Sequence, residues 1–188
     1  MPSNTRRFRL RERTSHAHAS LDRLIGPFSS VVDYGRYALG LHAFRIPIEE
    51  KLAAVNWPDS FAHWRPQLIG HALRADVLDL GLTPSVGADT APLSLTLESL
   101  LGTLYVLEGS ALGARILFRR AQAIGLGESF GARHLALQSA ADNWQKFLVI
   151  LEQGAAVEFE SVVAASNASF HAAERAFKGF QDVDPQPA

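Results

Sequence analysis

The spacing of apolar side chains along this 188-residue chain restricts its fold more than any other feature. From residue 6 to residue 25, the side chains that form one helix face recur every three or four positions, and Gly26 and Pro27 end the run. These side chains are Leu10, Thr14, Ala17, Leu21 and Ile25. The alternation of apolar and polar residues that marks a half-buried strand occurs nowhere in the sequence. The pattern therefore predicts an all-α fold.

Further helices are predicted over residues 31–55, 60–80, 93–125, 141–153 and 157–180. Pro47 predicts a kink in the second helix, and the prolines and glycine of residues 83–92 predict a loop. Three glycines make 125–140 irregular in this interpretation, and the tail 182–188 is expected to be frayed. Because the length suits one ordinary domain, residues 1–188 are predicted to form a single unit.

The composition excludes several classes of function. Hydrophobic residues make up 47% of the chain and charged residues 20%, which is typical of a soluble globular protein. The net charge of −1 gives no electrostatic reason to expect nucleic acid or a membrane surface as partner, and no apolar run approaches the roughly 20 residues that cross a bilayer. The absence of cysteine excludes disulfides, thiolate catalysis and iron–sulfur clusters, and it permits a cytoplasmic location.

His18 is the first candidate functional residue. It follows Thr14 by four positions and precedes Leu21 by three, which places it on the buried face of the first predicted helix, whereas His16 falls nearly opposite, toward solvent. A buried imidazole needs partners for its ring nitrogens, so His18 is either a core histidine bonded to a backbone carbonyl or a ligand of a metal ion or haem iron. The other histidines lack the spacing of a zinc site. The residue alone leaves both interpretations open.

A cluster of small residues in the fourth predicted helix is the second candidate feature. Its members are Gly109, Ser110, Ala111, Gly113 and Ala114. A glycine inside a helix costs on the order of 1 kcal/mol relative to alanine, so two within five residues need a reason. Either the glycines let a neighbouring helix approach closely, or a flat ligand lies against bare backbone, where a kink is also expected. Composition favours neither explanation over the other.

Two motifs resemble the haem oxygenase family, and in particular its bacterial members. The segment LRERTSHAH, residues 10–18, is similar to the family helix in which a threonine stands four positions before the histidine that binds haem iron, and this spacing selects His18 over His16. The segment YVLEGSALGA, residues 105–114, is similar to the distal helix of the bacterial members. Weaker similarity occurs at residues 73–81 and 144–151, at Phe170 and at Phe177.

The resemblance implies a single-domain haem oxygenase-like helical bundle with a kinked distal helix. It implies that haem b is both cofactor and substrate, and that the chain cleaves it to biliverdin, carbon monoxide and iron. O2 and an external electron donor would be required, and a ferredoxin or a flavoprotein reductase is the expected donor. A bacteriophytochrome is a candidate recipient of the biliverdin, while no nucleic acid and no membrane are expected as partners.

The resemblance also implies roles for particular residues. His18 would be the axial ligand of the haem iron. On the distal side, O2 and its waters would be contacted by Gly109, Ser110 and Gly113. The other residues expected to contact haem are Arg11, Thr14, Ala114, Lys146 and Phe170.

Ser110 departs from the animal members of the family, which carry an aspartate at this place. That aspartate organises the water network that delivers a proton to bound dioxygen. Bacterial relatives also carry serine there, so the resemblance implies that the Ser110 hydroxyl, backbone groups and ordered waters form the proton route.

Two other functions remain open on the sequence. A haem carrier or sensor of the same fold would bind haem through His18 without cleaving it, because the distal aspartate is absent. An all-α enzyme of the kind that handles thiamine fragments or quinone precursors would not bind haem at all. Such an enzyme needs polar groups in its pocket, whereas the small-residue cluster is mostly apolar.

Overall fold

The computed structural model describes residues 5–84, 94, 96–153 and 157–181, and the regular secondary structure of these residues is helical apart from isolated bridges at Gly127. The α-helices in this part of the chain are α1 (Arg6–Ile25), α2 (Val31–Ala53), α3 (Gly70–Asp79), α4 (Leu97–Gly109), α5 (Ala111–Ala123), α6 (Arg133–Ala140), α7 (Asn143–Gln153) and α8 (Phe159–Lys178). The all-α prediction is confirmed. The tail predicted at 182–188, and most of the loop predicted at 83–92, lie outside the described residues.

The first helix has the predicted bounds. Its apolar stripe is buried, and the chain turns at Gly26, whose φ of 62° is accessible to glycine at little cost. The backbone N–H of Gly26 donates to the carbonyl of Asp22 at 3.0 Å, which satisfies one of the last carbonyls of the helix. α2 continues through Pro47 to Ala53.

The prediction of a helix over 60–80 is wrong in its first half. Helix α3 starts only at Gly70, and a short 3₁₀ turn at Asp59–Phe61 comes before it. Pro66 cannot donate a backbone hydrogen bond and disfavours a helical conformation at the residue before it. The N–H of Gly70 instead donates to the buried carboxylate of Glu49 in α2, at 2.7 Å, so a long-range contact sets the start of α3.

The prediction of an irregular segment over 125–140 is wrong in its second half, where α6 forms. The helix begins where the buried carboxylate of Asp76, in α3, accepts the backbone N–H groups of Arg133 and His134, both at 2.9 Å. A carboxylate is favourable at a helix N-terminus because it pairs with unsatisfied N–H groups and with the positive end of the helix dipole. The residue that supplies it lies more than 50 positions away, so the local pattern does not reveal it.

Helix α8 packs against α1, α2 and α4. The approach to α4 is closest at Gly102, where an added Cβ would lie 2.7 Å from the carbonyl oxygen of Val162 and 2.8 Å from the backbone nitrogen of Ser166. The hydroxyl of Ser166 donates to the carbonyl of Gly102 at 3.2 Å. Glycine is therefore required at this position because two helix backbones meet there.

The helix predicted over 93–125 is divided at Ser110, within the small-residue cluster, into α4 and α5. The hydrogen bond from the N–H of Gly113 to the carbonyl of Ser110 spans three residues, as in a tighter 3₁₀ turn. By length and mean hydropathy alone, the stretch Leu97–Ala123 would qualify as a membrane span, but half of its most apolar window is buried in the fold. The buried part is mainly α4, which packs on α8, whereas on α5 only Ala114 and Ala121 are buried.

Two alanine substitutions test the difference between Gly102 and Gly113. Gly102→Ala is expected to lower the free energy of unfolding by about 1–3 kcal/mol, because the methyl group meets backbone atoms of α8. Gly113→Ala places the same group where no atom lies within 4 Å, so we expect no loss, or a gain of up to about 1 kcal/mol from helix propensity. Urea unfolding followed by circular dichroism measures both values. Equal destabilisation by the two substitutions would contradict this description of the packing.

Candidate functional site

A cavity of about 1040 Å³ is lined by α1 from one direction and by the α4–α5 break from another. Its volume lies at the upper end of the range for ligand pockets, roughly 300–1,000 Å³. Side chains of α2 and α8 complete a largely apolar wall, among them Leu41, Phe44 and Phe177. Leu112 and Ile116 of α5 also line the cavity and are about half exposed. The cavity therefore suits a large ligand that is mostly apolar.

Eight of the nine residues selected from the sequence line this cavity. They are Arg11, Thr14, His18, Gly109, Ser110, Gly113, Ala114 and Phe170. Lys146 is the exception: its ammonium group lies at the surface and pairs with Asp142 of the preceding turn at 2.8 Å. Lys146 is not among the residues that line the cavity, so the structure does not support its expected contact with the ligand.

His18 lines the cavity, but the prediction that it is buried is wrong. Its side chain is 60% exposed, whereas Thr14 and Ala17 carry the buried stripe of α1. The ring lies at the edge of that stripe, with its edge toward Phe170 at a centroid distance of 5.7 Å. The interpretation as a core histidine therefore fails, and the imidazole is accessible from the cavity.

Asp22 orients the His18 ring. Its carboxylate lies one turn further along α1, 2.9 Å from Nδ1, and no hydrogen bond to Nε2 is formed within the described residues. When Nδ1 carries the proton and donates it to a carboxylate, Nε2 keeps the lone pair that binds a metal. Asp22 was not among the residues selected from the sequence, although its i,i+4 spacing from His18 is a signal for such a pair.

His18 belongs to no multi-residue metal site among the described residues. In the part of the chain that the structure describes, no group of three or more histidine, aspartate or glutamate side chains is placed to hold a metal ion. A site with one imidazole suits a metal that brings its other ligands with it, as haem iron does with the porphyrin nitrogens.

Besides the buried Arg45, three arginines contribute positive charge to the cavity wall: Arg7 and Arg11 of α1 and Arg120 of α5. Arg11 was selected from the sequence, whereas Arg7 and Arg120 were not. Arg7 precedes Arg11 by one helical turn, so the two share a face of α1. Burial raises the pKa of the Tyr105 hydroxyl, and a hydrogen bond with Thr14 and the charges of Arg11 and Arg7 oppose this shift. The tyrosine therefore remains neutral beside these cations.

The opposite wall is bare at Gly113. A Cβ there would meet no atom within 4 Å, and a Cβ at Gly109 would meet only the Trp144 ring, at 3.6 Å. Of the two explanations for the small-residue cluster, close helix packing therefore fails at Gly113 and applies instead to Gly102, outside the cluster. The backbone around Gly113 faces the open cavity.

The Ser110 hydroxyl lies at the break between α4 and α5. It donates to the carbonyl of Leu107 at 2.7 Å and accepts from the side-chain amide of Gln138, in α6, at 3.1 Å. Gln138 is buried and also lines the cavity. Gln138 was not selected from the sequence, because its position depends on the start of α6, which is set by Asp76 of α3.

Arg45 is a buried cation in the cavity wall. It, too, was not selected from the sequence. Its Nε donates to Glu49 at 2.9 Å, and its terminal nitrogens reach the carbonyls of Gln67 at 3.1 Å and Leu107 at 3.4 Å. These partners compensate the charge within the fold. Burial raises the pKa of the nearby Glu108, although its carboxylate accepts the N–H of Gln67. The i,i+4 spacing of Arg45 and Glu49 is the sequence signal that was available.

A buried chain of polar groups supports α6 behind the cavity. Nδ1 of His134 lies 2.7 Å from the Asp76 carboxylate, and the Tyr37 hydroxyl lies 3.4 Å from Nε2 of the same ring. Burial lowers the pKa of His134, and the hydrogen bond with Asp76 opposes that shift only in part. The imidazole is therefore neutral in the folded protein.

This lowered pKa predicts a pH dependence of stability. The unfolded chain protonates this imidazole near its ordinary pKa of 6.5, whereas the folded chain does so only at lower pH. The contribution of His134 to stability is therefore complete above about pH 6.5 and is lost as the pH falls below that value. We expect His134→Gln to lose less stability than the native chain over the same fall in pH. Urea unfolding at a series of pH values measures this, with exposed His16→Gln as the control that should follow the native chain. Equal pH slopes in all three proteins would refute the assignment.

The chain is similar to known proteins over most of its length. Heme oxygenase PigA of Pseudomonas aeruginosa is 34% identical over 186 residues, which cover 96% of this chain and 91% of that protein. A crystal structure of the NO- and CO-bound heme oxygenase from Neisseria meningitidis has a similar fold, with a TM-score of 0.76 at 22% identity and 98% of both chains covered. No family model matches the chain.

Proposed function

Because the chain belongs to the haem oxygenase family, we propose that the cavity between α1 and the α4–α5 break is where it binds haem and cleaves it to biliverdin. Membership in this family makes the chain an oxidoreductase that acts on haem. One observation carries the assignment of the site: His18 and the bare backbone at Gly113 line the same cavity from different helices. A flat macrocycle needs an imidazole on one face and free space on the other.

The residues present fit haem on each side. Nε2 of His18 would bind the iron, and the pairing of Nδ1 with Asp22 would fix the ring orientation and leave Nε2 as the ligand atom. Arg11, joined by Arg7 and Arg120, supplies positive charge for the two propionates. The side chains of Leu41, Phe44 and Phe170 would enclose the ring edges and exclude bulk water.

The distal wall would handle oxygen and protons. Haem, once reduced by an external donor, supplies the iron at which O2 is activated. Gly109 and Gly113 leave space for O2 and for waters, and Ala114 adds only a methyl group to the same stretch of the wall. The Ser110 hydroxyl would order a water there, in the place of the animal enzymes' aspartate. Thr14 supports the proximal helix from within, because its hydroxyl donates to the carbonyl of Leu10 at 2.8 Å.

The electron donor we propose is a ferredoxin or a flavoprotein reductase, and a bacteriophytochrome is the proposed recipient of biliverdin in a cytoplasmic setting. The arginines of α1 do not form one free basic surface for such a donor. Arg13 pairs with Glu160 at 2.7 Å, and the Arg9 guanidinium lies 3.9 Å from the centre of the Phe159 ring. Both contacts tie α1 to α8.

No observation on the described residues favours a non-catalytic carrier or sensor over the enzyme. The absence of the distal aspartate was the argument for a carrier, and the Ser110 hydroxyl provides a polar group at that place. An activity without haem is not supported either, since the chain belongs to a family that acts on haem.

Titration with haem, followed by turnover, tests the proposed function. The native protein is expected to develop a Soret band, which decays with growth of the biliverdin absorbance when ascorbate or a ferredoxin system is added under O2. His18→Ala is expected to abolish turnover while the far-UV circular dichroism stays unchanged, because the exposed ring contributes little to the core. His16→Ala is the matched control and should behave as the native protein. Full activity of His18→Ala would refute the ligand assignment, and a Soret band that persists under turnover conditions would favour the carrier.

A bulky side chain at Gly113 tests the distal wall. Gly113→Leu is expected to fold normally, because the side chain enters open space, but to slow haem turnover by on the order of a hundredfold by occupying the room for O2. Binding of CO to the reduced haem complex, measured by flash photolysis, reports the access to this face directly. Gly113→Ala provides the smaller step for comparison. Unchanged CO binding and turnover in Gly113→Leu would show that the ligand lies elsewhere.

A further inference from the structure

The Ser110 hydroxyl is held by two partners from different parts of the chain. Its oxygen lies 2.7 Å from the carbonyl of Leu107, and the side-chain nitrogen of Gln138 lies 3.1 Å from it. A carbonyl oxygen can only accept, so the single proton of the hydroxyl is used in the bond to Leu107. The second partner must then be a donor, and the amide nitrogen of Gln138 is one.

Counting the remaining sites gives the hydroxyl a defined polarity. A serine oxygen has one proton and two lone pairs. With the proton committed to Leu107 and one lone pair occupied by Gln138, one lone pair is left, and Ser110 lines the cavity. Toward the cavity, Ser110 is therefore a hydrogen-bond acceptor and not a donor.

Gln138 is fixed from behind by the buried contacts that start α6. His134, one turn before Gln138 on the same face, is fully buried and bound through both its backbone N–H and its ring to the Asp76 carboxylate. Arg133 makes a further hydrogen bond from its backbone N–H to the same carboxylate at 2.9 Å. The amide of Gln138 therefore contacts Ser110 from α6, a helix that the buried contacts of Asp76 hold in place behind the cavity wall.

We propose that Gln138 is a positioning residue for haem cleavage, which holds the Ser110 oxygen as an acceptor for the distal water. The proposal rests on the proposed function, since it assigns a role within the same site. It accounts for the serine at position 110, where the animal enzymes carry an aspartate. An ionised carboxylate can only accept hydrogen bonds, and a serine whose proton is already used in another bond also presents an acceptor, without the negative charge. A water that donates to Ser110 keeps its other proton for the distal face of the ligand.

The first test measures the acid–alkaline spectral transition of the ferric haem complex, in which a distal water loses a proton. Gln138→Leu is expected to move this transition to lower pH by about half a unit or more, because the water loses a well-placed acceptor. Haem turnover should fall on the order of tenfold, as for other outer contacts of metal sites, with little change in the affinity for haem. Gln122→Leu, on the exposed face of α5, is the matched control and should change neither quantity.

A double-mutant cycle distinguishes positioning from a general structural effect. If Gln138 acts through Ser110, then adding Gln138→Leu to Ser110→Ala produces no further shift of the transition and no further loss of turnover. Additive effects, or a Gln138→Leu protein indistinguishable from the native one, would overturn the proposal. Gln138→Met, which is similar in length, uncharged and unable to donate, serves as the second variant in case the leucine protein does not fold, and it is expected to shift the transition in the same direction.

The polarity is tested by Ser110→Asp, which keeps an acceptor and gives up the donor. We expect this protein to retain turnover within about threefold of the native value, while Ser110→Ala loses on the order of tenfold. A Ser110→Asp protein as impaired as Ser110→Ala would overturn the acceptor assignment. These outcomes are separable from a failure of the proposed function, in which the native protein itself forms no Soret band or leaves haem intact.

Discussion

The close contact between α4 and α8 at Gly102 holds the helix that leads into the site against the rest of the core. Two helix backbones meet there with no side chain between them, and α8 also packs against α1 and α2. Helix α8 thus supports both α1, which carries His18, and α4, which leads into the break before Gly113. Gly102, which has no room for a side chain, lies about two turns before Gly109 and three turns before Gly113, which both have room.

Buried carboxylates set the starting points of two helices, α3 and α6. Glu49 binds the N–H groups at the beginning of α3, and Asp76 binds those at the beginning of α6. Burying these charges is costly, but each is compensated by several donors, including Arg45 for Glu49 and His134 for Asp76. The two carboxylates place α3 and α6 relative to the cavity, so the polar groups of the distal side inherit their positions from charges buried in the core.

The sequence predicted those features that depend on near neighbours. The bounds of α1, the all-α class and the interruption near Ser110 follow from spacing and from glycine content within single helices. The starts of α3 and α6 did not follow, because the groups that satisfy their first N–H donors come from other helices. The expected burial of His18 was wrong for a related reason: periodicity places a residue near an apolar stripe, but only the packing of α8 and the cavity decides what lies opposite it. Lys146 was expected to contact the ligand, but its ammonium group pairs with Asp142 at the surface. Gln138 has no local sequence signal that would identify it.

The pairing of His18 with Asp22 on one helix makes the two sides of the site unequal in how they are encoded. The carboxylate that pairs with the imidazole lies one turn away on α1, so this half is encoded mainly in one continuous stretch of sequence, with Phe170 of α8 packed beside the ring. The distal half combines α2, the α4–α5 break and α6, which are scattered over about a hundred positions. Sequence changes are therefore constrained differently in the two halves of the site. Changes around His18 can be compensated within a single helix, whereas changes in the distal half require compensating replacements at distant points of the chain.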